Sequence, residues 1–310
     1  MNIMVYPADN KLNINPAIQR AMALYLIRYG ELGLKSPGVR RIFERALRRN
    51  ITSRYADARI ECRIESDWGR IFLWSDDVVF TETLLSRTFG IVSFSRAEET
   101  DSSPESICNM AVGVAAPLFK EGMGFAVRAR RKGQHPYTSM ELARDTGSAI
   151  WLANEDKNPR VDLTNPELEI FVEVRQNRAF VYTEKVQGPR GMPLGTQGRV
   201  IGIVEKPLDI VACWLMMKRG CRVIAATSNP ELVEPLRSWA PELKIMQLKP
   251  DLERLAKSQH AKGIVLGWDI AQYDAKHGEV DGLGVPVFYP LIGMAGADIE
   301  GLNVSISSAT

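Results

Sequence analysis

Apolar and polar positions change period several times along the chain, and each change predicts a new element. Residues 23–28 are almost continuously apolar, which is typical of a buried strand. Across residues 37–54 apolar side chains recur on one arc at about 100° per residue, which predicts an amphipathic helix. Its apolar arc consists of Val39, Ile42, Phe43, Ala46, Leu47 and Ile51. Its opposite, solvent-facing arc consists of Arg40, Arg41, Arg45, Arg48 and Arg49.

The middle of the chain continues with the same two kinds of element. Alternation predicts strands at 59–64 and 69–74, and helices are predicted at 77–88 and 103–120. A basic strand at 125–131 precedes a helix at 138–154. Strands at 168–174 and 178–184 then form a hairpin around Gln176 and Asn177, a turn that tolerates positive φ at asparagine. Strands crossed by helices in this order predict an α/β layer.

From residue 200 onward the pattern becomes a regular alternation of strand and helix. The predicted strands lie at 200–204, 222–226, 245–248, 263–267 and 285–288, with helices between the first four. Repeated strand–helix order predicts a parallel sheet covered by helices, with any ligand beyond the carboxyl ends of the strands. The predicted fold class is therefore α/β, with α+β character in the first part.

The basic strand carries the most informative chemistry. It places four cations beside a turn rich in glycine and proline: Arg128, Arg130, Arg131 and Lys132. Thr138 or Ser139 is predicted to cap the following helix, whose first N–H groups favour anions, so the segment resembles a phosphate grip and indicates nucleic acid. The alternative is a solvated strand end, the usual fate of a short basic run. The arginine arc of the helix at 37–54 is likewise either a solvated face or a further track for a polyanion.

Composition narrows the class of protein. At 310 residues the chain is long enough for two or three domains, and its 45% apolar and 25% charged residues are ordinary for a folded protein. Because the formal net charge is only +2, affinity for RNA must come from local patches. The four cysteines and three histidines show no metal-ligand spacing, so we expect neither a disulfide framework nor a metal site.

The apolar runs and the first residues of the chain indicate where in the cell the protein is located. No run reaches the roughly 18 apolar residues that a membrane span requires. Residues 1–21, which include Pro7 and Pro16, lack the order of a secretory signal and are expected to form a loose leader. We therefore expect a cytoplasmic protein without a membrane partner.

Several long stretches resemble the THUMP domain of the tRNA 4-thiouridine sulfurtransferases. They are the basic segment at 125–144, the stretches at 161–174 and 181–186, and the sequence Gly-Pro-Arg-Gly-Met-Pro-Leu-Gly-Thr-Gln-Gly at 188–198. The resemblance implies that this domain grips the acceptor stem of tRNA and its single-stranded 3′ end, largely by shape and phosphate contacts. The RNA contacts that it implies are Arg128, Arg130, Arg131, Lys132, Thr138, Ser139 and Arg144. His135 is in the same loop and could also contact RNA.

The resemblance extends to both sides of this domain. Arg-Tyr-Gly-Glu-Leu-Gly-Leu-Lys at 28–35 is similar to the opening of the ferredoxin-like domain that precedes THUMP in this family. Gly-Arg-Val at 198–200, Val-Ala-Cys-Trp-Leu-Met-Met-Lys-Arg-Gly at 211–220 and Pro-Leu-Ile-Gly-Met at 290–294 are similar to the family's PP-loop pyrophosphatase domain. The expected domains are a leader at 1–21, a ferredoxin-like domain at 22–89, a THUMP domain at 90–187, a linker at 188–198 and a shortened, altered PP-loop domain at 199–310. The glycine-rich linker is either a hinge or a loop lying against RNA.

The PP-loop departs from the family pattern. Active members have Ser-Gly-Gly-x-Asp-Ser between the strand and the helix, where bare backbone N–H groups surround the pyrophosphate of ATP. This chain has the shorter Glu-Lys-Pro-Leu-Asp at 205–209, without glycines and with Pro207, which has no N–H. Glu205 adds negative charge, Lys206 can attract phosphate only as a point charge, and Asp209 approximates the family's aspartate. These three residues are the predicted cofactor-binding set of a degenerate site, so ATP with Mg, the cofactor that the family implies, is doubtful here.

Two further departures concern the sulfur chemistry of the family. Residues 266–272 are Leu-Gly-Trp-Asp-Ile-Ala-Gln where the family has Thr-Gly-Glu-Ser-Leu-Gly-Gln. The sequence to Thr310 contains neither the family's downstream sulfur-carrying cysteine nor a rhodanese extension. Cys213 and Cys221 are expected to be small buried hydrophobes rather than persulfide carriers.

Two functions are consistent with these features. In the first, the protein binds tRNA and presents it to a separate catalytic or sulfur-supplying protein, with its own adenylation weak or lost. In the second, it is an active ATP-dependent tRNA uridine sulfurtransferase that receives sulfur from a partner's persulfide. The altered loop favours the first function. Some other THUMP proteins are methyltransferases. That function is disfavoured here because no strand is followed by the glycine-rich nucleotide-binding loop of a methyltransferase.

Overall fold

The computed structural model describes residues 22–30, 36–67 and 69–308. The predicted leader and residues 31–35 of the opening motif therefore lie outside the described residues. The chain divides into two compact units, of which the first consists of the described residues within 22–28, 61–78 and 93–186. The second consists of the described residues within 29–60, 79–92 and 187–308.

A nine-stranded mixed sheet is the framework of the first unit. Its strands are β1 (Ala23–Tyr29), β2 (Cys62–Asp67), β3 (Arg70–Ser75), β4 (Ile91–Asp101), β5 (Gly124–Lys132), β6 (Arg160–Val161), β7 (Leu168–Arg175), β8 (Arg178–Tyr182) and β9 (Val186–Gln187). Eight of them follow the order β2-β3-β1-β4-β8-β7-β5-β6. β5 runs parallel to β7, and β7 and β8 form an antiparallel hairpin.

Two helices cover one face of this sheet. They are α3 (Pro104–Ala115) and α4 (Ser139–Ala153), numbered after two helices of the second unit. Ile107 and Leu142 from these helices pack with Phe125 and Ile170 from the strands in one buried cluster. The other face carries a second apolar cluster of Leu24, Leu26, Phe72, Trp74, Ala97, Phe180 and Tyr182.

A five-stranded parallel sheet is the framework of the second unit. Its strands are β10 (Arg199–Ile203), β11 (Arg222–Thr227), β12 (Lys244–Gln247), β13 (Ile264–Val265) and β14 (Val287–Phe288), in the order β12-β11-β10-β13-β14. Its helices are α1 (Pro37–Ala58), α2 (Val78–Ser86), α5 (Asp209–Lys218), α6 (Glu234–Arg237), α7 (Leu252–Ser258), α8 (Ile270–Lys276) and α9 (Gly296–Ser307). The predicted α/β class and the predicted parallel sheet are both confirmed.

The helix predicted at 37–54 is longer than expected, and its apolar face is shifted. α1 continues to Ala58 because Tyr55, 1% exposed, extends the buried stripe by another turn. Arg59 then ends the helix in the left-handed conformation. The strand predicted to begin at residue 59 therefore begins at Cys62. Ile42 was predicted to be buried but is exposed, because it lies on the helix surface beyond the edge of the stripe at Phe43 and Leu47.

Several elements had no sequence prediction, among them the two-residue strands β6 and β9. β4 is the longest strand described, yet its buried side is carried partly by Ser93, Ser95 and Ala97, so the apolar alternation is weak. The helices α8 and α9 also had no prediction. In the β7–β8 turn the positive φ of 52° is at Gln176 and not at the asparagine. Among the described residues no helix has both the length and the apolar character needed to cross a membrane.

Candidate functional site

The basic strand β5 divides its cations between the two faces of the sheet. Side chains alternate along a strand, so Arg128, Arg130 and Lys132 lie on one face and Arg131 lies on the other. Val127 and Ala129, on the face of Arg131, pack with the cluster under α3 and α4. The four cations therefore do not form a single row.

The basic half of β5 is also an exposed edge of the sheet. β6 pairs only with the first two residues of β5, Gly124 and Phe125, whereas β7 pairs with β5 from Phe125 to Lys132 on the other side. Within the described residues, no strand pairs with the outer edge of β5 from Ala126 to Lys132. Backbone donors and acceptors at that edge therefore lie beside the predicted cations.

The predicted RNA contacts differ in how firmly the protein already holds them. Arg128 is the most restrained, because its Nε donates to Glu169 Oε1 at 2.8 Å and its Nη2 donates to the Leu163 carbonyl at 2.8 Å. Arg131 Nη1 donates to the Gly133 carbonyl at 3.2 Å. Arg130 is exposed, and within the described residues its side chain makes no hydrogen bond or ion pair. Arg130 is thus the cation of β5 whose charge is best placed to meet a ligand.

The start of α4 has the predicted cap, and this cap uses part of the predicted anion site. Thr138 is the N-cap, and its Oγ1 accepts the Glu141 N–H at 3.1 Å. Glu141 Oε2 accepts the Thr138 N–H at 2.8 Å, and these bonds hold the pKa of Glu141 below its usual value. The N–H groups of Ser139 and Met140 are then the remaining donors of this helix start. Arg144, one turn further along, pairs with Asp145 at 3.1 Å and stays largely exposed.

His135 holds the loop between β5 and α4. Its Nε2 lies 2.7 Å from the Gln176 carbonyl oxygen, and its ring lies 5.4 Å from the ring of Tyr137. The Tyr137 hydroxyl in turn donates to the Ser102 carbonyl at 2.5 Å. These bonds assign His135 a role in fixing the loop conformation, and its contact with RNA stays a prediction.

The hairpin β7–β8 adds aromatic side chains to the face of Arg128 and Arg130. The register places Phe171 beside Arg128 on one side and beside Tyr182 on the other. The Phe171 and Tyr182 rings stack with centroids 5.2 Å apart, and Lys185 Nζ lies 3.3 Å from the Phe171 centroid. We call Arg128, Arg130, Lys132, Phe171, Tyr182 and Lys185 the basic–aromatic face. Sequence reasoning missed its aromatic members, although the alternation of the predicted hairpin carried the signal.

A buried carboxylate organises the neighbouring arginines on the same face. Glu173 is 5% exposed, and its Oε1 lies 2.9 Å from Arg70 Nε and 3.1 Å from Arg175 Nη1. Arg28 Nη2 approaches Glu173 Oε2 at 3.8 Å. Burial alone would raise the pKa of Glu173, but the surrounding guanidinium groups, that of Arg70 foremost, bring the pKa below its usual value. Three cations around one carboxylate leave this part of the sheet positive.

The altered loop lies at the switch point of the parallel sheet. β10 is central, and the next strands on its two sides are β11 and β13, so the chain leaves the carboxyl end of β10 where the strand order reverses. Glu205, Lys206 and Asp209 follow β10, and Gly267 and Gln272 follow β13. Together they line a cavity of about 210 Å³. The predicted cofactor-binding residues are therefore brought together at the predicted edge of the sheet.

Asp209 occupies the backbone donors of this loop. Its Oδ2 accepts the N–H of Glu205 at 2.9 Å and the N–H of Lys206 at 3.0 Å. Asp209 is 5% exposed, and Gly267 packs so closely on it that an added Cβ would lie 2.2 Å from Asp209 Oδ1. Burial raises the pKa of Asp209 more than these N–H bonds lower it. A carboxylate thus lies where an anionic ligand would have to bind.

The other two charged residues of the loop are also engaged with protein groups. Glu205 Oε1 accepts the Ser228 N–H at 3.1 Å, which places its carboxylate at the carboxyl end of β11. Lys206 Nζ donates to Gln272 Oε1 at 2.8 Å. Two carboxylates, those of Glu205 and Asp209, and two ammonium groups, those of Lys206 and Lys276, therefore line the cavity, so it has no excess of positive charge.

The cysteines of the second unit are packing residues. Cys213 is fully buried, and an added Cβ on Gly202 would lie 2.4 Å from its Sγ. Burial, with a smaller effect from Asp209, raises the pKa of Cys213 well above its usual value. Burial also raises the pKa of Cys221. Both thiols therefore lack thiolate character at neutral pH. In the part of the chain that the structure describes, no three His, Cys, Asp or Glu side chains are grouped to hold a metal ion.

Comparison with protein families defines the class of the chain. A model of the THUMP domain matches residues 101–184, and a model of the ThiI ferredoxin-like domain matches residues 24–95. The first match includes the basic strand, the capped helix and the β7–β8 hairpin. The chain is therefore an α/β protein in which a ferredoxin-like domain and a THUMP domain precede a parallel-sheet region.

Individual relatives identify the family. A curated relative, the probable tRNA sulfurtransferase of Methanosarcina acetivorans, is 34% identical over 324 residues, which span 88% of this chain and 78% of that protein. PH1313 from Pyrococcus horikoshii superposes with a TM-score of 0.80 at 31% identity, covering 92% of this chain and 99% of that one. A 4-thiouridine synthetase solved with RNA and ATP shares the fold, with a TM-score of 0.77 at 24% identity, over 93% of this chain and 86% of that one. The chain belongs to the tRNA sulfurtransferase family.

Proposed function

We propose that this protein binds tRNA and takes part in tRNA thiolation, while its own ATP-dependent adenylation is weak or lost. The observation that carries the second half of this proposal is the position of the Asp209 carboxylate. It accepts the N–H groups of Glu205 and Lys206, the two donors that would otherwise face a phosphate. An N–H that already has a charged acceptor offers little to a second anion.

The residues present in the loop do not fit a pyrophosphate. A polyphosphate needs several unpaired N–H groups or cations at close range. Pro207 supplies no N–H, and the Glu205 carboxylate lies at the same edge of the sheet. Lys206 is held by Gln272, so its charge reaches phosphate only after that bond breaks. ATP with Mg would therefore meet neither an excess of positive charge nor a cradle of unpaired N–H groups.

The tRNA half of the proposal rests on the basic–aromatic face and the family. Arg130 and Lys132 can meet phosphates. Phe171 is half-buried and Lys185 covers its ring, so an unpaired base can stack on Phe171 once Lys185 moves. Tyr182 is 5% exposed and supports the Phe171 ring by stacking on it. Relatives of this chain are named tRNA sulfurtransferases, and a neighbour of the same fold was solved with RNA. The proposed target is the acceptor stem of tRNA with its single-stranded 3′ end.

A sulfur-supplying or catalytic partner follows from the same proposal. Cys213 is fully buried with a raised pKa, and the pKa of Cys221 is also raised by burial, so neither thiol is suited to carry a persulfide. Sulfur for thiolation would then come from a thiol other than these two, and we propose a separate protein as its source. The role of this chain would be to bind and orient the tRNA.

A test of the tRNA half uses two RNAs of equal length and charge. One is a stem-loop with a single-stranded 3′ tail, and the other is a fully paired hairpin without a tail. We expect the tailed RNA to bind at least about fivefold more tightly, because unpaired bases can stack on aromatic side chains. Equal affinities would contradict the proposed target and leave only a nonspecific polyanion surface.

A test of the ATP half measures ATP–Mg binding by calorimetry, with and without tRNA. We expect a Kd weaker than about 1 mM in both cases, because the loop donors are occupied. The variant Lys206→Met should change this little, since Lys206 is bonded to Gln272. Micromolar binding that is lost in Lys206→Met would favour the alternative, an active ATP-dependent sulfurtransferase.

A further inference from the structure

The second unit contains a larger cavity than the one at the altered loop. It has a volume of about 360 Å³ and lies at the opposite edge of the parallel sheet. Arg199, Arg222 and Lys244 line it, and these are the first residues of β10, β11 and β12. The loop residues 205–209 follow the carboxyl end of β10, so the two cavities lie at opposite ends of the same strands.

The interior of this cavity is apolar and aromatic. Phe89, Met217, Val223 and Trp239 are buried and line it. The Phe89 and Trp239 rings are stacked with centroids 5.3 Å apart. Cavities of this size and lining bury a small molecule with a flat apolar body.

The rim of the cavity carries an excess of positive charge. Five cations line it against two carboxylates: Arg54, Arg87, Arg199, Arg222 and Lys244 against Asp57 and Glu242. Glu242 already pairs with Arg222 at 3.8 Å. Within the described residues, the side chains of Arg87 and Arg199 have no hydrogen-bond or ion-pair partner. The rim therefore attracts an anion.

Arg54 is a partly buried cation in the lining of the cavity, and it has no carboxylate as a hydrogen-bond partner. Its guanidinium donates only to neutral carbonyl oxygens, those of Leu84 at 3.4 Å, Arg87 at 3.5 Å and Ser238 at 3.2 Å. Burial and the neighbouring charge of Arg87 lower the pKa of Arg54 to about 10. A partly buried cation without a counter-charge is stabilised by an anion that binds nearby.

The buried ring of Trp239 lacks a polar partner. It is 9% exposed, and its indole Nε1–H has no acceptor among the described residues. This N–H is shielded from the cavity, so Trp239 contributes the apolar surface of its ring, and the cations of the rim are the groups that would recognise an anion.

We propose that this cavity, at the amino ends of β10, β11 and β12, binds a small organic anion with a flat apolar body. The apolar body packs against Phe89, Met217 and Trp239, and the acidic group meets Arg199, Arg222 and Arg54. The site is separate from the altered loop. It lies entirely in the second unit and does not depend on whether the loop binds ATP.

The experiment uses two dyes that share an apolar body and differ in charge. The first is 8-anilinonaphthalene-1-sulfonate, and the second is its uncharged analogue N-phenyl-1-naphthylamine. The full chain is titrated with each dye, and fluorescence gives stoichiometry and affinity. We expect one sulfonate dye per chain and at least about tenfold weaker binding of the neutral dye, because charge-assisted bonds to the rim are lost. Equal binding of both dyes would overturn the proposed anion site.

Two variants locate the site. Arg199→Ala combined with Arg222→Ala removes two exposed rim cations and should weaken the sulfonate dye about tenfold. Arg254→Ala combined with Lys249→Ala removes two exposed cations elsewhere in the same unit and should leave binding unchanged. Equal losses in the two double variants would contradict the assignment.

A third variant completes the test. Trp239→Leu keeps an apolar side chain but removes the aromatic surface beside Phe89, so it should weaken both dyes by a similar factor. Full binding of the sulfonate dye to the rim variant or to Trp239→Leu would place the dye at another site and refute the inference.

Discussion

Each unit of the molecule contains a buried carboxylate, and the surroundings of the two shift their pKa values in opposite directions. Glu173 and Asp209 are each 5% exposed. Glu173 lies among the guanidinium groups of Arg28, Arg70 and Arg175, and its pKa is lowered. Asp209 accepts two backbone N–H groups and its pKa is raised.

The difference shows what each region can bind. Around Glu173 one carboxylate is offset by three cations, so the sheet face beside Arg130 remains positive and suits phosphate. Around Asp209 the carboxylate uses the donors that a phosphate would need, and Glu205 adds a second negative charge. One region is therefore built to meet a polyanion, whereas the other already contains its own anion.

The largest expected effect is on stability, from Glu173→Gln. Removing the carboxylate leaves Arg28 and Arg70 without their counter-charge and Arg175 with only Asp67 at 3.8 Å, so we expect a loss of about 3–5 kcal/mol in the free energy of unfolding. Chemical denaturation at pH 7 measures it. Glu98→Gln, an exposed strand position, is the matched control and should change stability by less than about 0.5 kcal/mol.

The pH dependence of that loss has a definite sign. Because the pKa of Glu173 is lower in the folded state, its contribution is complete above the unfolded value near about 4.3 and disappears as pH falls through the folded pKa. The gap between wild type and Glu173→Gln should therefore close on acidification. A constant gap from neutral to strongly acidic pH would show that the arginines do not act through the charge of Glu173.

The next effect concerns tRNA affinity. Replacing Arg128, Arg130, Arg131 and Lys132 together with alanine should weaken tRNA binding about a hundredfold. It should also reduce the log–log salt slope by about 0.7–0.9 for each lost phosphate contact. Binding is measured at several salt concentrations, with Arg254→Ala as the control. Unchanged affinity and salt slope would show that β5 is not part of the tRNA interface.

Restoring the loop should have an effect of about tenfold. Replacing residues 205–209 with Ser-Gly-Gly-Leu-Asp-Ser returns unpaired N–H groups and removes the Glu205 carboxylate, so ATP affinity should rise by about that factor. Calorimetry with ATP–Mg measures it, and Glu205→Gln in the native loop is the control for charge alone. No gain in the rebuilt loop would mean that the surrounding sheet edge also opposes ATP.

The smallest effect separates two neighbouring arginines of β5. Arg128 is held by Glu169 and the Leu163 carbonyl, whereas Arg130 has no such bonds among the described residues. We therefore expect Arg130→Ala to weaken tRNA binding about threefold to tenfold and Arg128→Ala to do less. Side-by-side titrations decide it. A larger loss from Arg128→Ala would mean that its ion pair breaks on binding and that the observed contacts are not those of the complex.

Much of the first unit could be predicted from sequence because its local signals agree. The predicted Thr138 cap, the helix α4 and the basic strand β5 are all present in the structure. They could be predicted because the capping residues and the helical and strand periodicities are properties of neighbouring residues in the sequence. β4 could not be found this way, because buried Ser93 and Ser95 replace apolar residues on its inner side. The burial of Ile42 was predicted wrongly, because periodicity shows which residues share one side of a helix but not where the buried part of that side ends.

The candidate sites were only partly predictable. The loss of glycines at 205–209 was visible in the sequence, but the bond from Asp209 to its own loop depends on the turn and on the close packing of Gly267. The division of the four β5 cations between two faces followed from simple alternation. The aromatic neighbours of Arg128 depended on strand register, which the hairpin turn sets and the sequence alone indicates only roughly.

The central proposal is that the chain binds tRNA while its own adenylation is weak or lost, because the Asp209 carboxylate occupies the donors of the altered loop. The direct measurement is release of pyrophosphate from ATP by the unmodified protein in the presence of saturating tRNA. We expect little or no release above the level without tRNA. Efficient release that depends on tRNA would contradict this proposal and make this protein an active sulfurtransferase despite its altered loop.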